Sequence, residues 1–456
     1  MKQFLSIFLL FCSVQLFAQT KTDDKERSQL PNTENFDAVA QGRKYLNDLC
    51  SERMHGRGYV NNGIQNAEKY IKQKFDEFHL EQVTVENGDN WGFPVSYPVN
   101  IFPDKLQLTI DGENLTAGKD FMIDAISSGG TTTLKCIPFS KKDLQDVCIG
   151  NNTTQLKEKY RTKYSKNCLI FDETDSSFSK SDITKINDWI TLDLALSGLY
   201  PIGAIIKITN QKLSQNIAGV CGNVPYFIVS DKSLKSKNFK TISFDVTQKV
   251  DTVTAHNLCS MIDNPNTDKA IFFTAHYDHL GQFGPATYNG ANDNASGVAL
   301  MLTLAKYLQQ HKDELPVDVY FVAFPGEELG MIGSKAFVNN NPFMEFEYSD
   351  FVINLDLVGT GDDGICVVNG KIFDKEMAIL LDINDKNHYF NHIQVRGEAC
   401  NSDHCPFYKK NIPCFYIYTK GGTQAYHDIN DNPDQLPLTK FNELFELLVE
   451  FVIKYK

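Results

Sequence analysis

Apolar runs along the second half of the chain alternate between two lengths. Short runs, mostly aromatic or β-branched, occur at 270–275 (AIFFTA), 317–324 (VDVYFVAF), 351–359 (FVINLDLVG) and 414–418 (CFYIY). Longer stretches with helical spacing lie at 296–310 (SGVALMLTLAKYLQQ) and 441–455 (FNELFELLVEFVIKY). Strands alternating with helices predict an α/β unit whose helices cover both faces of a sheet. Upstream, Ile64, Ala67, Ile71, Phe75 and Phe78 recur at helical spacing and predict an amphipathic helix over 62–79, preceded by the turn-rich HGRGYVNNG. From 104 to 245 the texture changes: Gly, Ser, Thr and Lys are frequent, and short β-like runs recur (KLQLTI, CLIFD, GAIIKI, VPYFIVS, TISFDV). That region reads as a separate β-rich α/β insert.

The polar positions acquire meaning from this frame. His276 and Asp278 follow the strand AIFFTA, and Asp293 stands just before the helix in NGANDNASG. Glu327 and Glu328 end the next strand, Asp356 ends FVINLD, and His427 follows the last strand. Ligands in open α/β sheets collect at the carboxyl ends of strands, so five separate sites are expected to converge in one crevice. Each signal alone is weak, since an Asp-Asn before a helix is usually a cap and a Glu-Glu pair usually a solvated one. Their common placement is the strong signal. Adjacent buried carboxylates are costly unless paired, and two histidines with three carboxylates suit two zinc ions if one carboxylate bridges. A pair of ions ~3.5–4 Å apart can hold a water between them and stabilise an oxyanion. Magnesium, with its stronger demand for oxygen ligands, suits the histidines less well.

Composition narrows the function classes. The 456 residues, 42% hydrophobic and 22% charged, fit a globular protein of two or three domains. A formal net charge of −13 argues against nucleic-acid binding and against strong attraction to anionic membranes. Lys2, the apolar stretch Phe4–Phe17 and the small Ala18 read as a secretory signal peptide over 1–18, and 19–35 reads as a polar leader. No later apolar run reaches the ~20 residues of a spanning helix, so the expectation is an exported, soluble protein in the periplasm or outside the cell. Export permits disulfides. Cys400 and Cys405, the pair closest in sequence, read either as a disulfide or as two buried thiols.

The motif series AHYDHLG, NGANDNASG, PGEELGMIGS, NLDLVG and YHDINDNPD resembles that of the di-zinc aminopeptidase family of metallopeptidases, which also includes glutamate carboxypeptidases and glutaminyl cyclases. The segment beginning HGRGYVNNG is similar to the family's first loop and helix, and GAIIKI with VPYFIVS resembles a protease-associated domain. The resemblance implies a mixed, mostly parallel sheet flanked by helices in an α/β/α sandwich. A peptidase domain over 36–103 and 246–456 would then be interrupted by a protease-associated-like insert over 104–245. It implies that Asp293 bridges two zinc ions, that His276 and Asp356 complete one, and that Glu328 and His427 complete the other. Glu327 would be the general base, taking a proton from the metal-bound water and passing it to the leaving amine. Asp278 would orient the His276 ring, and Tyr426 would hydrogen-bond the substrate carbonyl. Asp403 and His404 match the family's SDH motif as structural support. His279 reads as a neighbour of the ligands or a loop residue. Asn401 departs from members that carry arginine near the substrate.

The expected activity is removal of N-terminal residues from peptides. Glutaminyl cyclases dispense with part of the ligand set, whereas all five ligand positions are filled here. Glutamate carboxypeptidases add a helical dimerisation segment, whereas this chain closes on the helix expected at 441–455. A receptor-like binding module would be expected to lose ligands or the base.

Overall fold

The computed structural model describes residues 33–83, 92–149, 154–198, 200–340 and 350–455. The expected signal peptide, and the leader up to its last three residues, lie outside them. The larger unit is a nine-stranded sheet. Its principal strands are β1 (Gly92–Ile101), β2 (Lys249–Ile262), β3 (Ala270–His276), β4 (Asp318–Phe324), β5 (Phe351–Leu355), β6 (Ile365–Val368), β7 (Ile393–Val395) and β8 (Cys414–Thr419). The four central strands run parallel in the order β4-β3-β5-β8. Antiparallel neighbours flank them, β2 on β4 and β6 on β8.

The central strands are apolar on both sides because both sides are covered. Ile271 and Phe273 of β3 point into one core with helices Ala38–Leu49, Ser296–Gln310 and Phe441–Lys454. Ala270 and Phe272 alternate into the other, against Phe337 and Phe407 of helices Ile332–Asn340 and His404–Lys409. The sandwich expected from the sequence is the one observed. The helix Ser296–Gln310 starts and stops where its pattern predicts, and Gly63–Glu77 falls within the expected 62–79.

Strand β1 carries Pro94 and Pro98 and was not legible as a strand. It pairs over ten residues with the first part of β2 only, and proline is tolerated where a strand need not donate on its outer side. Residues 106–246 build a second sheet of eight strands with its own apolar cores. All five β-like runs noted there become strands of this sheet. Helices Thr154–Tyr164 and Lys180–Trp189 pack with it. Among the described residues no helix is long and apolar enough to cross a membrane.

Candidate metal centre

Parallel strands β3, β4, β5 and β8 end at the same edge, and the expected site residues collect there. His276 is the last residue of β3, and Asp356 directly follows β5. Asp293 lies in an irregular turn before the helix Ser296–Gln310, joined to Asn294 by a cis peptide bond. Pro325 and Gly326 turn the chain after β4, with Gly326 at φ +72°, and deliver Glu327 and Glu328 to the same edge. His427 arrives from the loop after β8.

The donors face one another in two groups. His276 Nε2 is 3.4 Å from Asp293 Oδ1 and 3.5 Å from Asp356 Oδ1. His427 Nε2 is 3.2 Å from Asp293 Oδ2 and 3.1 Å from Glu328 Oε2. Two donors on one tetrahedral zinc, each ~2.0–2.2 Å from the ion, lie about 3.3–3.6 Å apart. Asp356 Oδ1 is buried and has no hydrogen-bond donor among the described residues, an acceptor aimed into the pocket. Asp293 turns one oxygen to each histidine, as a bridging carboxylate does. The residues therefore fit a pair of divalent ions.

A third histidine stands close. His279, Asp293 and Glu328 also bring three donor atoms within 4.8 Å of one another. His279 Nδ1, however, is only 2.6 Å from Glu328 Oε1, a hydrogen bond rather than the edge of a coordination tetrahedron. His279 thus holds one oxygen of Glu328 while the other faces His427.

The Asp278 side chain is placed differently from the sequence expectation. The His276 ring donates from Nδ1 to the main-chain carbonyl of Asp278 at 3.1 Å, while the Asp278 carboxylate lies 3.7 Å away. That carboxylate instead accepts from Tyr59 Oη (2.9 Å) and from the amides of Glu327 (3.1 Å) and Glu328 (3.4 Å). Asp278 therefore orients His276 through its backbone and fixes the paired glutamates through its side chain.

Several residues that no motif singled out complete the frame. Ser402 donates to Asp356 Oδ2 at 2.7 Å and accepts from Asn354, which in turn accepts from Thr274. Asp431 takes the amides of Asn292 and Asp293. Arg57, fully buried, spreads its guanidinium over carbonyls that include those of Gly290 and Asp293. Gly290, at φ +56°, lies so close to Asp293 O and the His279 ring that any Cβ would collide with both. All of them lie inside stretches quoted above, Arg57 in HGRGYVNNG and Asp431 in YHDINDNPD for example, but nothing in those stretches marked them out.

Tyr426 is half exposed, its ring stacked on His427 at 4.0 Å. Asp403 is buried and accepts from Ser334 at 2.5 Å. Cys400 and Cys405 form a disulfide that brackets Asn401, Ser402, Asp403 and His404, with Asn401 exposed.

The carboxylates that face the two histidines raise their proton affinity. Burial would depress the His276 imidazole, but Asp356, Asp278 and Asp293 carry it well above its usual range. His427 likewise overcomes burial through Asp293 and Glu328 and rises to about 10. Burial and Asp293 would raise Glu328, yet His279 and His427 bring it to about 2. Glu327 is pushed well above the carboxylate range by burial, against the pull of His276 and with the repulsion of Asp403, Glu328 and Asp356. Asp403 reaches about 7, chiefly through burial.

Residues 257–452 match the sequence model of Peptidase family M28. Aminopeptidase YwaD of Bacillus subtilis (strain 168) is 40% identical over 90 residues, 20% of this chain and 18% of that protein. Leupeptin-inactivating enzyme 1 of Streptomyces exfoliatus is 32% identical over 146 residues, 30% of this chain and 32% of its own length. The chain thus matches less than a third of the length of either relative. In overall fold it is similar to BSAP, a zinc aminopeptidase from Bacillus subtilis. The likeness has a TM-score of 0.62 at 18% identity and covers 93% of this chain and 95% of that one.

Proposed function

We propose that this chain, whose residues 257–452 match the sequence model of Peptidase family M28, is an exported aminopeptidase that holds two zinc ions and removes N-terminal residues from peptides. The observation that carries the reading is Asp293, with Oδ1 toward His276 and Oδ2 toward His427. His276 and Asp356 would hold one ion, Glu328 and His427 the other, and Asp293 both. Zinc relatives in name and fold support the choice of metal. The division into a peptidase domain over 36–103 and 246–456 around a protease-associated-like insert over 104–245 belongs to the same proposal.

When bound, zinc supplies Lewis acidity and makes water a stronger acid near neutral pH. The chain's own groups do the rest. Glu327 takes the proton of the attacking water and delivers it to the leaving amine, a role within reach of a carboxylate at this edge. Burial holds its pKa well above the usual range, and cations nearby would favour its ionised form. Asp278 holds the Glu327 and Glu328 amides, so the base and the ligand keep a fixed relation. Tyr426 presents a half-exposed phenol beside His427, where it can donate to the substrate carbonyl.

A panel of short peptides tests the reading. Free N-terminal amino acids should be released, and release should stop on N-acetylation or chelation and return with zinc. Release from the C-terminus, or cyclisation of N-terminal glutamine without hydrolysis, would reject it.

A further inference from the structure

The second sheet reaches into the centre. Between its strands Ala204–Thr209 and Tyr226–Ser230 the chain runs as an irregular segment. Lys212 to Ala218 of this segment lie along the loop that carries His427. Lys212 Nζ donates to the carbonyls of Gln424 (2.7 Å) and Tyr426 (3.0 Å) and pairs with buried Asp428. The Gln215 amide donates to His427 O at 2.8 Å. In return His427 Nδ1 donates to Gln215 O at 2.9 Å.

The segment is itself anchored. Gln215 is 1% exposed, and its Nε2 donates to the carbonyls of Ile123 and Asn216. Ala218 O accepts from the amide of Asn100 in β1. Ile217 packs against the cores of both sheets.

His427 needs such a hold. Its φ of +53° lies in the sparsely populated left-handed region. A ligand imidazole must also have its second nitrogen fixed by an acceptor, so that the first faces the metal. For His276 that acceptor is Asp278 O, from the same strand end. For His427 it is Gln215 O, 212 residues away, in the segment between two strands of the other sheet.

We propose that Lys212–Ala218 is a positioning strap through which the insert completes one half of the centre. The half built from His427, Glu328 and Asp293 Oδ2 depends on the strap, and the half built from His276 and Asp356 does not. This rests on the two-ion reading above and adds to it a reason for the insert to be part of the enzyme.

The test uses the full chain, stripped of metal and retitrated with zinc. Lys212→Met removes all three Lys212 contacts at a side chain that is 46% exposed, so the fold should survive. Gln215→Leu removes the anchor of the strap from inside. Both variants should bind one ion as the parent does and the other about 10–100-fold more weakly, the usual effect of losing an outer-sphere partner. Lys212→Arg should restore the second ion. Hydrogen exchange should rise over 424–428 in metal-free Lys212→Met chain. Two ions bound with parental affinities in both variants, or both ions weakened alike, would overturn the strap. If the parent takes up fewer than two ions, the two-ion reading is what fails, and unchanged exchange at 424–428 then overturns the strap separately.

Discussion

Replacing Arg57 with lysine is a sharp test of how the Asp293 turn is held. The guanidinium is fully buried and donates to five main-chain carbonyls. Nε serves Tyr277 (3.1 Å), Nη1 serves Asn289 (2.6 Å) and Leu49 (3.3 Å), and Nη2 serves Gly290 (2.8 Å) and Asp293 (3.2 Å). A lysine ammonium has three N–H groups on one point, so at least two of these carbonyls lose their donor. Each buried group left unsatisfied costs ~1–3 kcal/mol, which gives about 2–6 kcal/mol for the pair. Against a typical stability of ~5–15 kcal/mol the variant should still fold. Urea unfolding of the metal-free chain should show the loss as a lower midpoint at unchanged slope. Because Asp293 faces both histidines, zinc titration should show both ions weakened, unlike the selective effect of the strap variants. A stability change below about 0.5 kcal/mol, with both affinities intact, would refute the reasoning that Arg57 supports this turn.

Glu327→Gln keeps the shape of the side chain but removes the proposed base. It should retain both zinc ions by elemental analysis and lose roughly 10²–10⁴-fold in kcat; near-normal turnover would take the base role away from Glu327. The pH dependence of the metal-free chain follows from the raised values. The folded pKa of His427 is about 10, above the ordinary imidazole value of about 6.5, so its stabilisation is full below pH ~6.5 and is lost as pH rises toward 10. Asp403, at about 7 against 3.8, acts in the same direction between about pH 4 and 7. The unfolding temperature of metal-free chain should therefore fall from pH 5 to pH 10, with zinc affinity rising over the same range as ions replace protons. A flat profile in both measurements would contradict the charge arrangement described for the pocket.

Legibility in the sequence followed burial. The strands β3, β4, β5 and β8 are covered on both faces, so they stand out as unbroken apolar runs, and the polar residues that end them mark the site edge. His276, Glu327, Glu328 and Asp356 stood out as candidates for that reason, Asp293 by its place before a helix and His427 by its place after the last strand. Arg57 was not, because a loop arginine ordinarily lies in water, and its partners here are carbonyls rather than a side chain of opposite charge. Tyr59, Ser402 and Gln215 were hidden for a related reason. They act through hydrogen bonds between distant loops, which leave no period or spacing in the chain. Asp278 was read as a partner for His276, but only the folded turn shows that its carbonyl does that work and its carboxylate serves the two glutamates.

The bonds that frame the centre span the chain. Arg57 meets Asp293 across 236 residues, Gln215 meets His427 across 212, and Asp431 meets Asn292 across 139. Contacts of such separation close late, because each must first overcome the entropy of bringing remote segments together. A chain that has built the larger sheet alone still lacks the Gln215 contacts that hold His427 in its final pose. On the proposed reading, hydrolytic competence is therefore among the last properties this polypeptide acquires, and the chain stays inert while its own unfolded segments are still within reach.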